Sequence, residues 1–246
     1  MALVPISSMA KRYGVRCMIY GPPGEGKTPL IETCPNPVLF PTEPGLMSIR
    51  HLNNVPMWIS ESMAKEKRTV VNAKDIEEFF KKFLNSKDAA GFQTIFVDSF
   101  THLAEIVLAD CEKRIKHGLK AYGEMSRTVY GYANQLNEMM DKNVVLIAKE
   151  GSEFKGVRTN PATGIQEDII EMRPLYPGND LKAKMPHLFD LILHLRKVRM
   201  PGVPGEVRAL RAIRNEAIFA RDRSGLLQEF NEPDLGKIFN LINNSK

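Results

Sequence analysis

The sequence has little cysteine and no long apolar run. Its three cysteines, Cys17, Cys34 and Cys111, have neither the spacing of a metal site nor that of a disulfide framework. No run of about 18 apolar residues occurs, and residues 1–14, MALVPISSMAKRYG, lack the apolar core of a secretion signal. We therefore expect a soluble protein of a reducing compartment, the cytoplasm, with no membrane partner.

Strong charge of either sign is also missing. The net charge of +5 is mild, and most of the excess lies in segment 151–223, which has 13 Lys and Arg against 9 Asp and Glu. That segment could face a polyanion, although the charge alone favours an ordinary solvated surface. With 43% hydrophobic residues the chain can bury one substantial core, so we predict a single domain over residues 1–246.

One stretch does carry a specific chemical pattern. Residues 21–28 read GPPGEGKT and fit the phosphate-loop pattern G-x-x-x-x-G-K-[ST] at every fixed position. A chain that curls around a diphosphate aims backbone N–H groups inward, which requires glycine where a Cβ would block the approach. We predict that a nucleoside triphosphate binds to Gly21, Pro22, Pro23, Gly24, Glu25, Gly26, Lys27 and Thr28.

Two residues at the end of this loop have defined roles in such a site. A helix is expected to begin near Lys27, whose ammonium would contact the β- and γ-phosphates, and Thr28 would offer its hydroxyl to Mg²⁺. The alternative is a plain Gly/Pro turn between two core elements. However, the apolar residues 16–20 are typical of a buried strand, and Pro29 suits the first turn of a helix.

Short apolar runs alternate with stretches of helical spacing, which is typical of a parallel sheet covered by helices on both faces. The predicted strands are Cys17–Tyr20, Pro37–Phe40, Thr94–Val97 and Val144–Ala148, and the helical stretches are Asp75–Leu84, Leu103–Ile115 and Tyr130–Met140. We predict an α/β fold, mainly a parallel sheet flanked by helices, with antiparallel strands added toward the C-terminus.

The later part of the chain changes character. Segment 149–180 is polar with little periodicity, and we interpret it as a long mobile loop. Two strand-like runs, Leu191–Val198 and Val207–Ile213, are joined by the Gly- and Pro-rich residues 200–205 and predict a hairpin. A final helix is predicted over Asp234–Leu241, with Asp234 as its cap.

A phosphate loop also needs acidic partners. Asp98 ends the apolar strand Thr94–Val97 and is the natural Mg²⁺ ligand, although it or Ser99 could instead cap the helix that follows. A carboxylate that orients the attacking water has two candidates, Glu25 inside the loop and Glu43 after the strand Pro37–Phe40. The carboxyl ends of strands are where open α/β sheets bind ligands, which favours Glu43.

The motifs GPPGEGKT, residues 40–46 (FPTEPGL) and residues 96–103 (FVDSFTHL) together resemble the RecA-like ATPases. The chain is most similar to the short, core-only, phage-encoded recombinases and single-strand annealing proteins, over roughly residues 14–225. The resemblance implies ATP and Mg²⁺ as cofactors, Glu43 as the residue that activates water and Lys27 as a second catalytic group. Lys149 or Glu150 would be the γ-phosphate sensor by position, although neither is the glutamine of the longer recombinases.

The resemblance further implies partners. In that family the loop after the sensor strand contacts single-stranded DNA, which here is segment 150–177 with Lys155, Arg158 and Arg173. It also implies assembly of several copies into a ring or a filament, a single-stranded-DNA-binding protein as a further partner, and the cytoplasm of a bacterial host. A surface loop without a ligand stays the alternative reading of segment 150–177.

Two arginines, Arg221 and Arg223, lie near the C-terminal end of the region that resembles the family. They could reach the nucleotide of a neighbouring subunit. Arg223 is the predicted catalytic finger, and its alternative is an ordinary pair with a surface acid such as Asp222. Three functions remain open: a DNA-dependent ATPase that pairs strands, a nucleotide-gated DNA-binding module with negligible hydrolysis, and a P-loop motor or loader for protein partners. Glu43 favours the first over the second.

Overall fold

Nine β-strands form one sheet within the residues that the computed structural model describes, 13–160, 164–200 and 202–245. The prediction that no secretion signal is present concerns residues 1–12, which lie outside this part of the chain. In order along the chain the strands are β1 Arg16–Gly21, β2 Pro37–Pro41, β3 Thr94–Asp98, β4 Asn143–Thr159, β5 Gln166–Pro174, β6 Leu191–Arg199, β7 Glu206–Arg211, β8 Arg221–Asp222 and β9 Phe230–Asn231.

The centre of the sheet is parallel, in the order β2-β3-β4-β1-β6. Strand β1 lies between β4 and β6, so the phosphate loop that follows it begins at the middle of the carboxyl edge. Antiparallel strands extend the sheet on the β6 side, where β7 pairs with β6 and β9 pairs with β7. The predicted fold class, a mainly parallel sheet flanked by helices with antiparallel strands toward the C-terminus, is confirmed.

Seven α-helices surround this sheet in the described residues: α1 Glu61–Glu66, α2 Ala73–Glu78, α3 Lys87–Ala90, α4 Phe100–Arg114, α5 Gly118–Glu138, α6 Asn179–Lys184 and α7 Leu235–Asn243. Shorter turns are 3₁₀-helical at Thr28–Thr33, Leu46–Ile49 and Met185–Leu188, and a π-helical turn, Phe79–Phe83, continues α2. The predicted cap of α7 is confirmed, because the Asp234 side chain accepts a hydrogen bond from the Lys237 N–H. None of the helices described here combines the length and the apolar composition needed to cross a membrane.

Both faces of the parallel strands are buried, which explains why these strands read as continuous apolar runs. In β1, Met18 and Tyr20 pack into one core with α4 and α5, while Cys17 and Ile19 pack into a second core with Leu30 and Ile31. All four strand residues are fully buried. The two cores fix the sheet rigidly beneath the loop.

One predicted helix begins earlier than expected. Helix α5 starts at Gly118, whereas the apolar spacing indicated a helix only from Tyr130. Its first half contains Gly118 and Gly123 and exposes Leu119, which is 82% accessible. Glycine is a weak helix former and an exposed leucine breaks the apolar pattern, so the local signal there is poor.

The interpretation of segment 149–180 as a loop was wrong. Strand β4 continues to Thr159 and pairs antiparallel with β5, from Glu150 opposite Pro174 to Thr159 opposite Gln166. A bulge at Gly156, whose φ is +151°, interrupts the ladder once. About half of the residues in this hairpin are exposed and most of the others are only half-buried, so its strands lack the apolar alternation by which a strand is recognised in a sequence. Residues 161–163 at its tip lie outside the described residues.

The hairpin that the sequence did predict is confirmed as β6 and β7, with Val198 opposite Val207. Of the connection, Pro201 lies outside the described residues.

Candidate nucleotide site

A pocket of about 590 Å³ opens at the carboxyl edge of the sheet. The phosphate loop forms one wall, and the ends of β3 and β4 form the other. Its lining residues are Gly21, Pro23, Gly24, Gly26, Lys27, Thr28, Pro29, Glu43, Ser48, Asp98, Ser99, Ile147, Ala148, Lys149, Glu150 and Arg208. Three predicted elements, the loop, Glu43 and Asp98, therefore meet in one place.

The loop has the backbone that its glycines predict. Gly24 and Gly26 have φ values of +81° and +89°, a conformation that residues with a Cβ rarely adopt. The Lys27 ammonium donates hydrogen bonds of 2.7 Å to the carbonyl oxygens of Gly21 and Pro22. Burial lowers the pKa of Lys27, and the neighbouring carboxylates, Asp98 foremost, act in the opposite direction. The phosphate loop is therefore folded around the Lys27 side chain.

The helix that follows the loop is shorter than expected. It is a 3₁₀-helix over Thr28–Thr33, with Pro29 in its first turn. The predicted start after Lys27 is confirmed, but a six-residue 3₁₀-helix has a smaller dipole than a long α-helix. The side chains of the loop therefore carry more of the charge complementarity toward phosphates.

Thr28 and Asp98 lie together as a metal site would require. The Thr28 hydroxyl donates a hydrogen bond of 2.5 Å to Asp98 Oδ2. Burial raises the pKa of Asp98 to about 6, although the Thr28 hydrogen bond opposes the shift. One carboxylate and one hydroxyl are hard oxygen donors that suit Mg²⁺ when substrate phosphates supply further ligands. In keeping with that donor set, the described residues contain no cluster of three or more acidic, His or Cys side chains that could hold a metal alone.

Glu43 is held in the pocket by the residue that follows Asp98. The Ser99 hydroxyl donates a hydrogen bond of 2.5 Å to Glu43 Oε1 and also accepts one from the His102 N–H, as the N-cap of α4. The Thr42 hydroxyl donates to the Ser99 carbonyl at 2.7 Å. Ser99 rather than Asp98 is therefore the helix cap, and it also orients the predicted base.

Glu25, the other candidate for the base, is not among the residues that line the pocket. Its Oε2 atom is buried and has no hydrogen-bond partner among the described residues. Of the two carboxylates considered from the sequence, Glu43, which the sequence analysis favoured, is the one that lines the pocket.

Both candidate sensors at the end of β4 line the pocket. Lys149 Nζ lies 2.8 Å from Glu105 Oε2 and 3.7 Å from Glu43 Oε1. Glu150 lies 2.5 Å from Nε2 of His194, which is buried on β6. Burial lowers the pKa of His194, and the Glu150 carboxylate acts in the opposite direction. Lys149 is therefore held by acidic side chains on the β2 side of the sheet, whereas Glu150 is held by His194 on β6, beyond β1.

The three basic side chains that we predicted to bind DNA lie on the β4–β5 hairpin, and each of them is ion-paired. Lys155 Nζ lies 2.7 Å from Glu153, Arg158 Nη1 lies 2.7 Å from Glu216, and Arg173 also pairs with Glu153. Over segment 150–177 the sequence has five carboxylates and three bases. The positive charge of this segment is thus largely neutralised within the protein.

Arg221 and Arg223 lie outside the pocket of their own chain. Strand β8 pairs with the amino-terminal end of β6, at Leu191 and Ile192, whereas the pocket is at the carboxyl edge. Arg221 donates a hydrogen bond of 2.9 Å to the Pro186 carbonyl. Arg223 is half exposed and lies 3.8 Å from Asp190, not from Asp222. Arg223 therefore does not contribute to the nucleotide pocket of its own chain.

Sequence reasoning missed Arg208, which reaches the pocket from β7. An arginine in a half-exposed strand gives no local signal of a site. Only the pairing of β6 with both β1 and β7 brings it beside the loop.

The AAA domain family matches residues 13–224. Solved structures similar to this chain include a KaiC-like protein from the hyperthermophilic archaeon Pyrococcus horikoshii OT3, with a TM-score of 0.40 and 13% identity over 81% of this chain and 78% of that chain. No curated protein matches the sequence. On the match over most of its length, the chain belongs to the AAA domain family of ATP-binding P-loop ATPases.

Proposed function

We propose that this protein hydrolyses ATP while bound to single-stranded DNA and acts in strand annealing or recombination of the phage type. The observation that carries the hydrolytic part is the Ser99–Glu43 hydrogen bond, which holds a carboxylate in the same pocket as the phosphate loop and Asp98. A site that only binds nucleotide needs no such carboxylate.

The residues of the pocket divide the work of hydrolysis. Lys27 exchanges its two carbonyl partners for phosphate oxygens, and the loop N–H groups bind the remaining charge. Thr28 and Asp98 hold Mg²⁺, which neutralises developing negative charge when bound. Glu43 accepts a proton from the attacking water. The hydrogen bond from Ser99 to Oε1 orients the Glu43 carboxylate for this step.

Support for a DNA partner comes first from the connection between the pocket and the hairpin. Strand β4 lines the pocket with Lys149 and Glu150 and continues without a break into the β4–β5 hairpin. The hairpin exposes Phe154 and Ile170, which are 60% and 44% accessible and lie opposite each other. An exposed aromatic ring is a stacking platform for a base.

A second surface supplies the free positive charge that the hairpin lacks. Lys113, Lys116 and Lys120 are exposed where α4 meets α5, and among the described residues none of them has an ion-pair partner. Tyr122, 41% accessible, adds an aromatic ring. The first half of helix α5 contacts α6, which follows β5, since Ser126 donates a hydrogen bond to Asp180. Lysines, aromatic rings and the hairpin together suit a single strand bound through its backbone and bases.

The proposal includes assembly of several copies into a ring or filament, in which Arg223 of one copy would approach the nucleotide of the next. It also includes a single-stranded-DNA-binding protein as a partner that delivers the strand. Both rest on the resemblance to RecA-like proteins.

The experiment is a steady-state ATPase assay with and without single-stranded DNA, run in parallel with the Glu43→Gln variant. A DNA-stimulated rate that Glu43→Gln abolishes is expected. A rate unaffected by DNA contradicts the DNA-dependent part, and no turnover under any condition favours a nucleotide-gated binding module.

One observation favours a second candidate, a P-loop motor or loader for protein partners. The β4–β5 hairpin exposes Phe154, Val157 and Ile170 amid more carboxylates than bases, which suits a protein surface as well as DNA. ATPase stimulation by a protein and not by DNA would identify this class.

A further inference from the structure

We propose that Arg208 is a phosphate-binding residue of the nucleotide site, supplied by the β6–β7 hairpin to the phosphate loop of the same chain. The proposal rests on nucleotide binding at the loop but not on DNA binding or hydrolysis.

The first support is position. Arg208 lines the pocket, and its guanidinium lies directly against the loop backbone at Gly26. A Cβ built at Gly26 would lie 3.0 Å from Nη1 and 3.1 Å from Cζ of Arg208. The absence of a side chain at Gly26 therefore admits the guanidinium next to the peptide groups that bind phosphate.

The second support is charge. Three cationic side chains line the pocket, Lys27, Lys149 and Arg208. Lys27 is bonded to two carbonyls and Lys149 is paired with Glu105. Among the residues that the structure describes, Arg208 has no carboxylate within ion-pair distance. It therefore differs from Lys149, which is ion-paired, and from Lys27, whose ammonium must exchange two carbonyl oxygens for phosphate.

The third support is the balance of the whole pocket. Glu43, Asp98 and Glu150 also line it, so three carboxylates oppose the binding of a polyphosphate. Lys197 lies directly opposite Arg208 on β6, is exposed and adds to the positive potential on this side. A triphosphate therefore finds its compensating charge at the loop and at the β6–β7 edge.

Guanidinium chemistry suits this role. Its planar fork of N–H donors pairs with two phosphate oxygens at once, and it stays charged at any working pH. Because β7 is anchored by the ladder to β6, which itself pairs with β1, Arg208 is held at a fixed height above the loop.

The test measures displacement of a fluorescent ATP analogue by ATP, ADP and inorganic tripolyphosphate from wild type, Arg208→Ala and Arg208→Lys. The matched control is Arg199→Ala on the same strand pair, where Arg199 is 85% exposed and does not line the pocket. Melting temperatures of all variants check that the fold is kept.

Arg208→Ala should weaken ATP and tripolyphosphate to a similar extent, by about tenfold or more, with Arg208→Lys in between and Arg199→Ala unchanged. A loss for ATP without a loss for tripolyphosphate would assign Arg208 to the base or ribose and overturn the proposal. Equal affinities in wild type and Arg208→Ala, with Lys27→Ala weakened in the same assay, would overturn it as well.

Discussion

The Ser99 hydroxyl donates a hydrogen bond of 2.5 Å to Oε1 of Glu43, and so joins the end of β3, which carries Asp98, to the carboxylate that we propose as the base. Glu43→Gln should keep ATP affinity and slow hydrolysis by about 100-fold or more, because an amide cannot accept the proton. Ser99→Ala should slow it less, by about tenfold, because the carboxylate remains but loses its orientation.

Single-turnover rates and ATP binding by calorimetry separate these effects. Thr33→Ala, a hydroxyl removed outside the pocket, is the control for the serine variant. Hydrolysis at the wild-type rate in Glu43→Gln would show that Glu25 or another residue is the base.

Lys27→Ala should weaken ATP by about 1.5–3 kcal/mol, since it removes a charge-assisted contact to phosphate. AMP, which has no β- or γ-phosphate, should bind to both forms alike. Fluorescence titration gives both affinities, with exposed Lys74→Ala as control. Equal ATP affinity in wild type and Lys27→Ala would remove Lys27 from the site.

The pH dependence of metal binding should report the Asp98 carboxyl. Burial raises the pKa of Asp98 from 3.8 to about 6, so Mg²⁺ competes with a proton below pH 6. Mg²⁺ affinity should fall about tenfold for each pH unit below 6 and be nearly constant above 7.

The raised pKa of Asp98 also determines how the stability of the metal-free protein changes with pH. The folded state holds the proton more tightly than the unfolded chain, so this contribution is fully present below pH 3.8 and is lost as pH rises through about 6. Asp98→Asn should therefore increase the free energy of unfolding without metal at pH 7 by up to about 3 kcal/mol, and so raise the melting temperature. The same variant should bind Mg²⁺ more weakly. A lower melting temperature at pH 7 would contradict the buried-carboxyl explanation.

Two surfaces can be compared for DNA. Changing Lys113, Lys116 and Lys120 together to alanine should weaken single-stranded DNA about tenfold or more and reduce the salt dependence, because these lysines are unpaired. Changing Lys155, Arg158 and Arg173 together should also weaken it, but less, because each base already has a carboxylate partner.

Anisotropy titrations between about 50 and 200 mM salt measure both effects. A triple alanine variant of the exposed Lys65, Lys74 and Lys87 is the control for net charge. Binding that ignores salt, or that neither triple variant changes, would rule out these surfaces.

Arg223→Ala should leave the melting temperature and ATP affinity nearly intact and remove the rise of ATPase rate with protein concentration. Its 3.8 Å pair with half-exposed Asp190 contributes only about 0–1 kcal/mol. Mixing this variant with excess Lys27→Ala protein, which keeps Arg223, should restore turnover. If mixed assemblies form and no activity returns, Arg223 is an ordinary surface arginine.

The sequence predicted those parts of the fold whose residues carry a local pattern. Strands β1 and β3 were found because both of their faces are buried, and the loop was found because its glycines are fixed by backbone geometry. The β4–β5 hairpin was missed because its residues are mostly exposed or half-buried polar side chains, which leave no apolar alternation in the sequence. Glu43 was favoured over Glu25 from its place after a strand, but its hydrogen bond from Ser99, 56 residues away along the chain, could not be predicted.

The unbroken course of β4 has a mechanical consequence. Beyond Glu150 the strand runs about ten residues into the hairpin, or roughly 30 Å at 3.3 Å per residue. Its ladder with β5, continuous on either side of the bulge at Gly156, cannot slide by one residue without inverting every side chain, so the register of the hairpin is fixed. A tilt of about 5° at Lys149 and Glu150, beside the nucleotide, would displace the far end by roughly 2.5 Å. A shift of Lys149 and Glu150 too small to disturb the pocket would therefore become, at the far end of the hairpin, a displacement comparable to the length of a hydrogen bond.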